Sequence, residues 1–257
     1  MRRPWIWLLA GTVSIALSVL AFFPATWLAA WVATQTDGRL MLGDARGTLW
    51  RGEAFIGGAA HSGEPLAPLL PGRFAWRLSP MILLGQVDLD VHNTTALSQP
   101  VQLTGNWQQW QASPAALSLP AERLVALGAP LNTLQPAGQM RLSWQPLQFT
   151  RIAGRIEMSG TMNLSVTDLT SRLSPIDPLG SYDLALVWRA SEAAITLVSL
   201  EGPMLLAGTG VIRHGHGQFS GTAQAATGQE DRLANLLNLI GQRRNQGDRN
   251  IIALEFK

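Results

Sequence analysis

Alternation with a period of two runs through most of this chain after Thr36 and confines it to one broad class of fold. Phe74, Trp76 and Leu78 alternate with Arg73, Ala75, Arg77 and Ser79; Val87, Leu89 and Val91 alternate with Gln86, Asp88, Asp90 and His92. Met140, Leu142 and Trp144 repeat the scheme, as do Met162, Leu164 and Val166, and then Tyr182, Leu184, Leu186 and Trp188. Successive side chains of a strand point to opposite faces, so each segment predicts one buried and one wet face, as in antiparallel sheet. Gly57-Gly58, Ser79-Pro80, Ser159-Gly160, Glu201-Gly202-Pro203 and His214-Gly215-His216-Gly217 read as the turns between segments. Short strands, frequent turns and no βαβ rhythm predict a mainly β chain built on an antiparallel, curved sheet.

Two short helices are expected to interrupt it. The first runs from Ser118 to Gly128, with Pro120 in its first turn and Gly128 as its stop. The second has capping-box spacing at Thr227 and Glu230. Leu233, Leu236, Leu237 and Ile240 follow at i, i+3, i+4 and i+7, and Gly241 ends it. This apolar stripe is a candidate partner helix. Arg243 to Asn250 reads as a polar turn, and Ile251, Ile252, Leu254 and Phe256 as a final strand. Arg123-Leu124-Val125-Ala126-Leu127 echoes Arg232-Leu233-Ala234-Asn235-Leu236, and Gln135-Pro136-Ala137-Gly138 suits a hinge. A pseudo-repeat with candidate lobes 38–134 and 138–257 is therefore expected, although the match is short.

The N-terminus has a different character. Arg2 and Arg3 precede a run from Trp5 to Phe23 without a charged residue. As a helix this run would be roughly 28 Å long, close to the hydrocarbon thickness of a bilayer. It predicts a cytoplasmic tail over 1–4, a transmembrane anchor over 5–23, a membrane-proximal linker over 24–37 and an exported domain over 38–257. Trp5, Trp7, Phe22, Phe23, Trp27 and Trp31 are the expected anchor residues, with the indoles at the headgroup layer. Pro24 marks the break, and Ala25 to Ala33 is expected to continue for a further helical turn or two. Val19-Leu20-Ala21 fits a signal-peptide cleavage site loosely, but the apolar run exceeds the usual signal core of about 7–15 residues.

Composition removes several function classes. An apolar fraction of 47% with 14% charged residues excludes a disordered tail. The formal charge of +2 is accounted for by Arg2 and Arg3, so the exported part lacks the basic face that nucleic acid requires. With no cysteine there is no disulfide, thiolate catalysis or Cys-ligated metal. His214 and His216 would point the same way in a strand and so face one metal, but no third ligand is nominated nearby. A solvated turn is the better reading of that pair. Asp88 and Asp90 fit the wet face of a strand, and no nucleophile elbow, Walker loop, dinucleotide fingerprint or His-Glu-x-x-His occurs. No enzyme, cofactor or metal is expected. Arg243, Arg244 and Arg249 fall short of the cluster that anionic lipid recognition normally wants.

Several blocks carry a resemblance. Gly47-Thr48-Leu49-Trp50-Arg51-Gly52 follows Gly38-Arg39-Leu40-Met41-Leu42; Trp76-Arg77-Leu78-Ser79-Pro80 precedes Leu83-Leu84-Gly85. Leu179-Gly180-Ser181-Tyr182 is followed by Gly202-Pro203-Met204-Leu205-Leu206-Ala207-Gly208-Thr209-Gly210. In order and spacing these resemble protein N of the bacterial type II secretion system over nearly the whole chain. The resemblance implies a single-pass inner-membrane accessory, N-terminus cytoplasmic and bulk periplasmic, that supports protein export by contacts with other inner-membrane secretion subunits. It carries no catalytic residue over. Anchor plus extended sheet is also similar to the AsmA-like proteins of periplasmic lipid transport, which implies lipid as an alternative partner. Trp50 is expected to pack into the sheet near the domain entrance.

Overall fold

The computed structural model describes residues 4–36, 38, 40–58, 67–127, 131–213, 216–240, 242–246 and 249–256. Two helices open the chain, α1 (Pro4–Ala21) and α2 (Ala25–Gln35), with extended Pro24 between them. The strands that follow are β1 (Leu40–Gly47), β2 (Arg51–Gly58), β3 (Ala67–Pro68), β4 (Phe74–Leu78), β5 (Gln86–His92) and β6 (Val101–Asn106). Next come β7 (Gln109–Ala112), β8 (Ala115–Pro120), the short helix α3 (Leu131–Leu134), β9 (Pro136–Trp144), β10 (Leu147–Ile152) and β11 (Arg155–Ser171). The last part holds β12 (Gly180–Arg189), β13 (Glu192–Glu201), β14 (Met204–Arg213), β15 (His216–Ala225), α4 (Glu230–Ile240), β16 (Gln242–Gln246) and β17 (Arg249–Phe256).

Every pairing is antiparallel, and almost every strand pairs with its neighbour in sequence. β1-β2-β4-β5-β6-β7 form one meander, which continues through β10 into the start of β11. β8 and β9 pair beside it, and β9 meets the later part of β11. From there β11-β12-β13-β14-β15 form a second meander, closed by β17 and then β16. The result is a single open sheet, antiparallel throughout the described residues as the alternation predicts.

The pairing register carries that alternation across strands. Leu117, Leu142, Leu164, Leu184 and Leu197 stand opposite one another in successive strands, and Trp144, Met162, Leu186 and Ile195 form the next row. Ser143, Asn163, Ala185, Thr196, Thr209 and Ser220 make a mostly polar row on the opposite face. Leu78, Leu89, Leu103, Ala112 and Leu147 continue the apolar face into the first meander. α4 covers one end of this face. Leu233, Leu236 and Leu237 pack with Ile176, Leu179, Tyr182, Met204, Ala223 and Ile252 into the buried core.

Some expectations need correction. Ser118, Leu119 and Pro120 belong to β8, because Leu119 pairs with Met140 and the Ser118 N–H donates to the Ala96 carbonyl; only Ala121–Leu127 is helical, as a 3₁₀ segment. Gly128 lies outside the described residues. α4 begins at Glu230, since a separate turn closed by Gln229 N–H to the Ala226 carbonyl at 3.0 Å keeps Thr227 out of the helix. The stretch read as a polar turn, Arg243 to Asn250, holds most of β16 and the first two residues of β17, paired with each other. Gly57 and Gly58 are the last paired residues of β2, opposite β1 and β3, and Ser159 and Gly160 lie within β11, paired with β10 and β12 respectively. The hinge read at 135–138 takes in the one residue between α3 and β9 and the start of β9, where Pro136 and Ala137 pair with Ser171 and Thr170 of β11.

The anchor expectation is met only as helix. α1 stops at Ala21, so its 18 residues span about 27 Å, just short of the roughly 30 Å hydrocarbon core. Among the described residues no helix is long and apolar enough to cross a membrane. α2 extends further than expected, to Gln35, and packs over β1 with Ala25 buried.

The core assignment makes a paired stability prediction. Leu233 is fully buried and Leu239, on the same helix, is 58% exposed. Leu233→Ala should lower the unfolding free energy by about 2–5 kcal/mol in urea titrations of the full chain. Leu239→Ala should change it by less than about 0.5 kcal/mol.

Candidate functional site

The densest set of unusual contacts surrounds Gly47 to Gly52. The loop between β1 and β2 is three residues long and closes on itself. The Thr48 N–H donates to the Arg51 carbonyl at 2.8 Å, and the Arg51 N–H donates to Thr48 Oγ1 at 3.2 Å. Its outer edge meets the C-terminal end of α1. There the Leu49 N–H donates to the Phe23 carbonyl at 2.8 Å, and Thr48 forms a β-bridge with Pro24. The Trp50 indole N–H donates to the Leu20 carbonyl at 2.8 Å. The last carbonyls of a helix lack regular intrahelical partners, and the Leu20 carbonyl, which accepts only a long 3.4 Å bond from Phe23 N–H, gains a shorter one from Trp50.

On its inner side the loop is bonded to β4. The Trp50 carbonyl accepts from Leu78 N–H at 2.8 Å, and the Leu49 carbonyl accepts from the Trp76 indole at 3.0 Å. Gly52 makes room for this. A Cβ there would lie 2.4 Å from Trp76 Cζ2, so any larger residue displaces the indole. The motif is thus a clasp between the N-terminal helix and the first hairpin.

Two shallow cavities flank the clasp and share Arg51 and Arg77. One, of about 390 Å³, is lined by Trp50, Leu78, Pro80, Asp88 and Asp90 as well. The other, of about 500 Å³, adds Arg46, Glu53, Trp76 and His92. Arg77 stands opposite Asp90 across the β4–β5 ladder, so the polar lining carries both signs of charge. Nearby, Arg73 bridges Asp44 and Glu53 and lies 4.3 Å above the Phe55 ring. The Arg73 hydrogen bond holds the exposed Asp44 carboxyl below its usual range. Sequence separations of 20–29 residues hid this bridge. Among the described residues no group of three or more His, Cys, Asp or Glu is placed to hold a metal ion. His61 and His214 lie outside the described residues, and His216 opens β15 opposite Arg213.

A second corner gathers Gly180, Tyr182, Gly202 and Pro203. The Tyr182 hydroxyl donates to the Met204 carbonyl at 2.9 Å, with the Leu179 carbonyl at 3.3 Å. Gly202 and Gly180 lie back to back, and a Cβ on Gly202 would come within 2.3 Å of Gly180 Cα. The Pro203 carbonyl accepts from Ala226 N–H at 2.7 Å. Gly208 sits apart in β14, opposite Gly221 and under the Phe219 ring.

The family model for type II secretion system (T2SS), protein N, matches residues 38–251. The chain belongs to that family. No curated protein and no solved structure matches it. Membership makes the chain a component of type II secretion, a protein-transport machine, and so one that works with other secretion components. The matched region takes in the 47–52 side of the clasp and the Tyr182 corner, and begins after the helix side of the clasp.

The remaining sequence-predicted residues fall in three places. Trp5, Phe22, Trp27 and Trp31 are exposed, Phe23 packs at 5.6 Å from the Trp27 ring, and the Trp7 side chain lies outside the described set. Leu233, Leu236 and Leu237 are spent in the chain's own core, because the stripe lies on β15 and β17, so they offer no free face. Nothing is described of the Ile240 side chain. Trp50 stands in the loop between β1 and β2, outside the strands, and its bond to α1 had no sequence signal, since the partner is a main-chain carbonyl 30 residues away.

Trp50→Phe keeps an apolar ring and loses only the bond to Leu20, so it should cost about 0.5–1.5 kcal/mol. Trp50→Ala should cost about 3–5 kcal/mol; urea titration separates the two. Burial pushes the Tyr182 hydroxyl pKa well above its ordinary value. A raised folded-state pKa means full stability below about pH 10, lost as pH rises toward the folded-state value. Tyr182→Phe should lower stability at neutral pH yet remove that alkaline loss.

Proposed function

We propose that the chain is a non-enzymatic inner-membrane accessory of the type II machinery, anchored by its N-terminal helix, with the sheet in the periplasm. The clasp carries this reading. Hydrogen bonds from Leu49 and Trp50 to the end of α1, and from Leu78 and Trp76 back to the loop, couple helix and sheet as one body. Such coupling suits a scaffold that holds a docking surface at a set height above a membrane. The anchor is supported by the uncharged run through Phe23 and by Trp5, Val13, Ile15, Val19 and Phe22, all exposed. A helix slightly shorter than the bilayer is accommodated by local thinning. Arg2 and Arg3 favour a cytoplasmic N-terminus. Other secretion subunits would dock at free sheet edges, by strand addition.

A periplasm-dependent reporter fused after Lys257 should be active, and alkaline extraction should leave the full chain in the membrane. A soluble, shortened chain beginning near Phe22 would overturn the anchor. With the anchor in place, Trp50→Ala should reduce export of type II substrates more than Trp50→Phe does.

One observation favours a second reading, binding of an apolar ligand on the sheet. Leu142, Leu164, Leu184, Leu186, Ile195 and Leu197 are only half-buried, and α4 covers just one end of their face. A photo-crosslinking residue at Leu184 in the full chain should capture radiolabelled phospholipid in living cells on this reading. Capture of secretion subunits alone would support the scaffold.

A further inference from the structure

The segment Ser79-Pro80-Met81-Ile82-Leu83-Leu84-Gly85 is uncharged and forms a 3₁₀ turn, Pro80–Leu84, that projects from the sheet between β4 and β5. Met81, Leu83 and Leu84 are exposed, Leu84 at 78%. The turn is held firmly in this shape. The Ser79 side chain accepts from Met81 N–H at 3.3 Å, and Gly85 N–H donates to the Ile82 carbonyl at 3.1 Å. Trp107 braces it: its indole N–H donates to the Ile82 carbonyl at 2.7 Å and its own N–H to the Gly85 carbonyl at 3.0 Å. With its polar atom satisfied, the Trp107 ring remains half-exposed beside the leucines.

Exposing so much apolar surface on a rigid, uncharged turn is costly in water. Its location identifies what covers it. Leu78 N–H bonds the Trp50 carbonyl, and the Trp50 indole bonds the Leu20 carbonyl, so the turn starts two residues beyond Leu78, which is linked through Trp50 to the end of α1. Trp50 and Pro80 line the same cavity. Exposed Val19 and Phe22 lie at that same helix end.

We propose that the Pro80–Leu84 turn and the Trp107 ring dip into the outer leaflet of the membrane that holds α1, as a second lipid contact. This rests on the anchoring reading above. The occupant is lipid because the turn is tied through Leu78 and Trp50 to the helix end, carries no charge itself and presents an indole, which favours the headgroup layer. Two fixed points, the helix and the turn, would set the tilt of the sheet on the membrane, which one helix alone cannot do.

The chain has no cysteine, so single labels can be placed cleanly. Ile15→Cys, Leu84→Cys and Leu200→Cys variants of the full chain would carry a nitroxide in phosphatidylethanolamine–phosphatidylglycerol nanodiscs. Leu200 is the far control, exposed on β13. Collision with oxygen and with a water-soluble nickel chelate reads depth. The Leu84 label should lie about 5–10 Å below the headgroup boundary, as interfacial elements do, and the Leu200 label in water. If Ile15 is shielded and Leu84 is as open to nickel as Leu200, the anchor stands and the turn proposal is overturned. If Ile15 is also open to nickel, the anchoring reading falls and the turn proposal with it. Shielding of Leu84 only when other secretion subunits are co-reconstituted would assign the turn to a protein partner and overturn the lipid assignment.

Discussion

Strand β11 is the member from which the rest of the sheet hangs. Its 17 residues would extend about 56 Å, and hydrogen bonds to different partners divide its length. The first part pairs with β10, and the later part lies between β9 and β12. Even-numbered Met158, Met162, Leu164 and Val166 therefore carry one apolar face from the first meander to the second. A one-residue slip in either pairing would turn all of these toward water, so the register of both meanders is held by the same side chains.

The partners of β11 cannot be continuous along it, and prolines are where they break. Pro146 separates β9 from β10, and Pro114 separates β7 from β8. A proline offers no N–H to the ladder, so each break leaves groups to be satisfied otherwise. Gln145 N–H reaches the Thr161 carbonyl at 3.1 Å, and Ser113 N–H reaches the Gln102 carbonyl at 2.9 Å. The breaks thus let four short strands follow one long one without orphaned backbone groups at these points.

Period-two patterning was enough to read β4, β5, β9, the middle of β11 and β12, since each alternates over several residues with a wet face of clearly polar type. It failed where glycine stood inside a strand. Gly57, Gly58 and Gly160 look like turn residues locally, and only the partner strands keep them extended. It failed again at β16, whose five residues are all polar in sequence and so show no alternation, while its backbone pairs with β17. Of the candidate site, the motif residues were legible as a block, but not what they do. Trp50 and Trp76 act on carbonyls distant in sequence, and no periodicity encodes a side-chain-to-main-chain bond over 27–30 residues.

Those indoles point to how a cysteine-free sheet is secured where its ladders stop. Trp50 serves the end of α1, Trp76 the β1–β2 loop, Trp107 the Pro80–Leu84 turn, and Trp144 the Ser113 carbonyl at the Pro114 break. Each places one N–H on a carbonyl that no strand reaches and covers it with a large apolar ring. The hydrogen bond alone contributes about 1 kcal/mol net; at Leu20 and Ile82, which also accept from the Phe23 and Gly85 N–H groups, the indole is a second donor. A disulfide at the same points would act mainly on the unfolded chain; an indole acts on the folded one by excluding water from the place where the sheet is weakest. That is why substitution at these tryptophans bears on the coupling between helix, turn and sheet, whereas substitution within a ladder bears mainly on local packing.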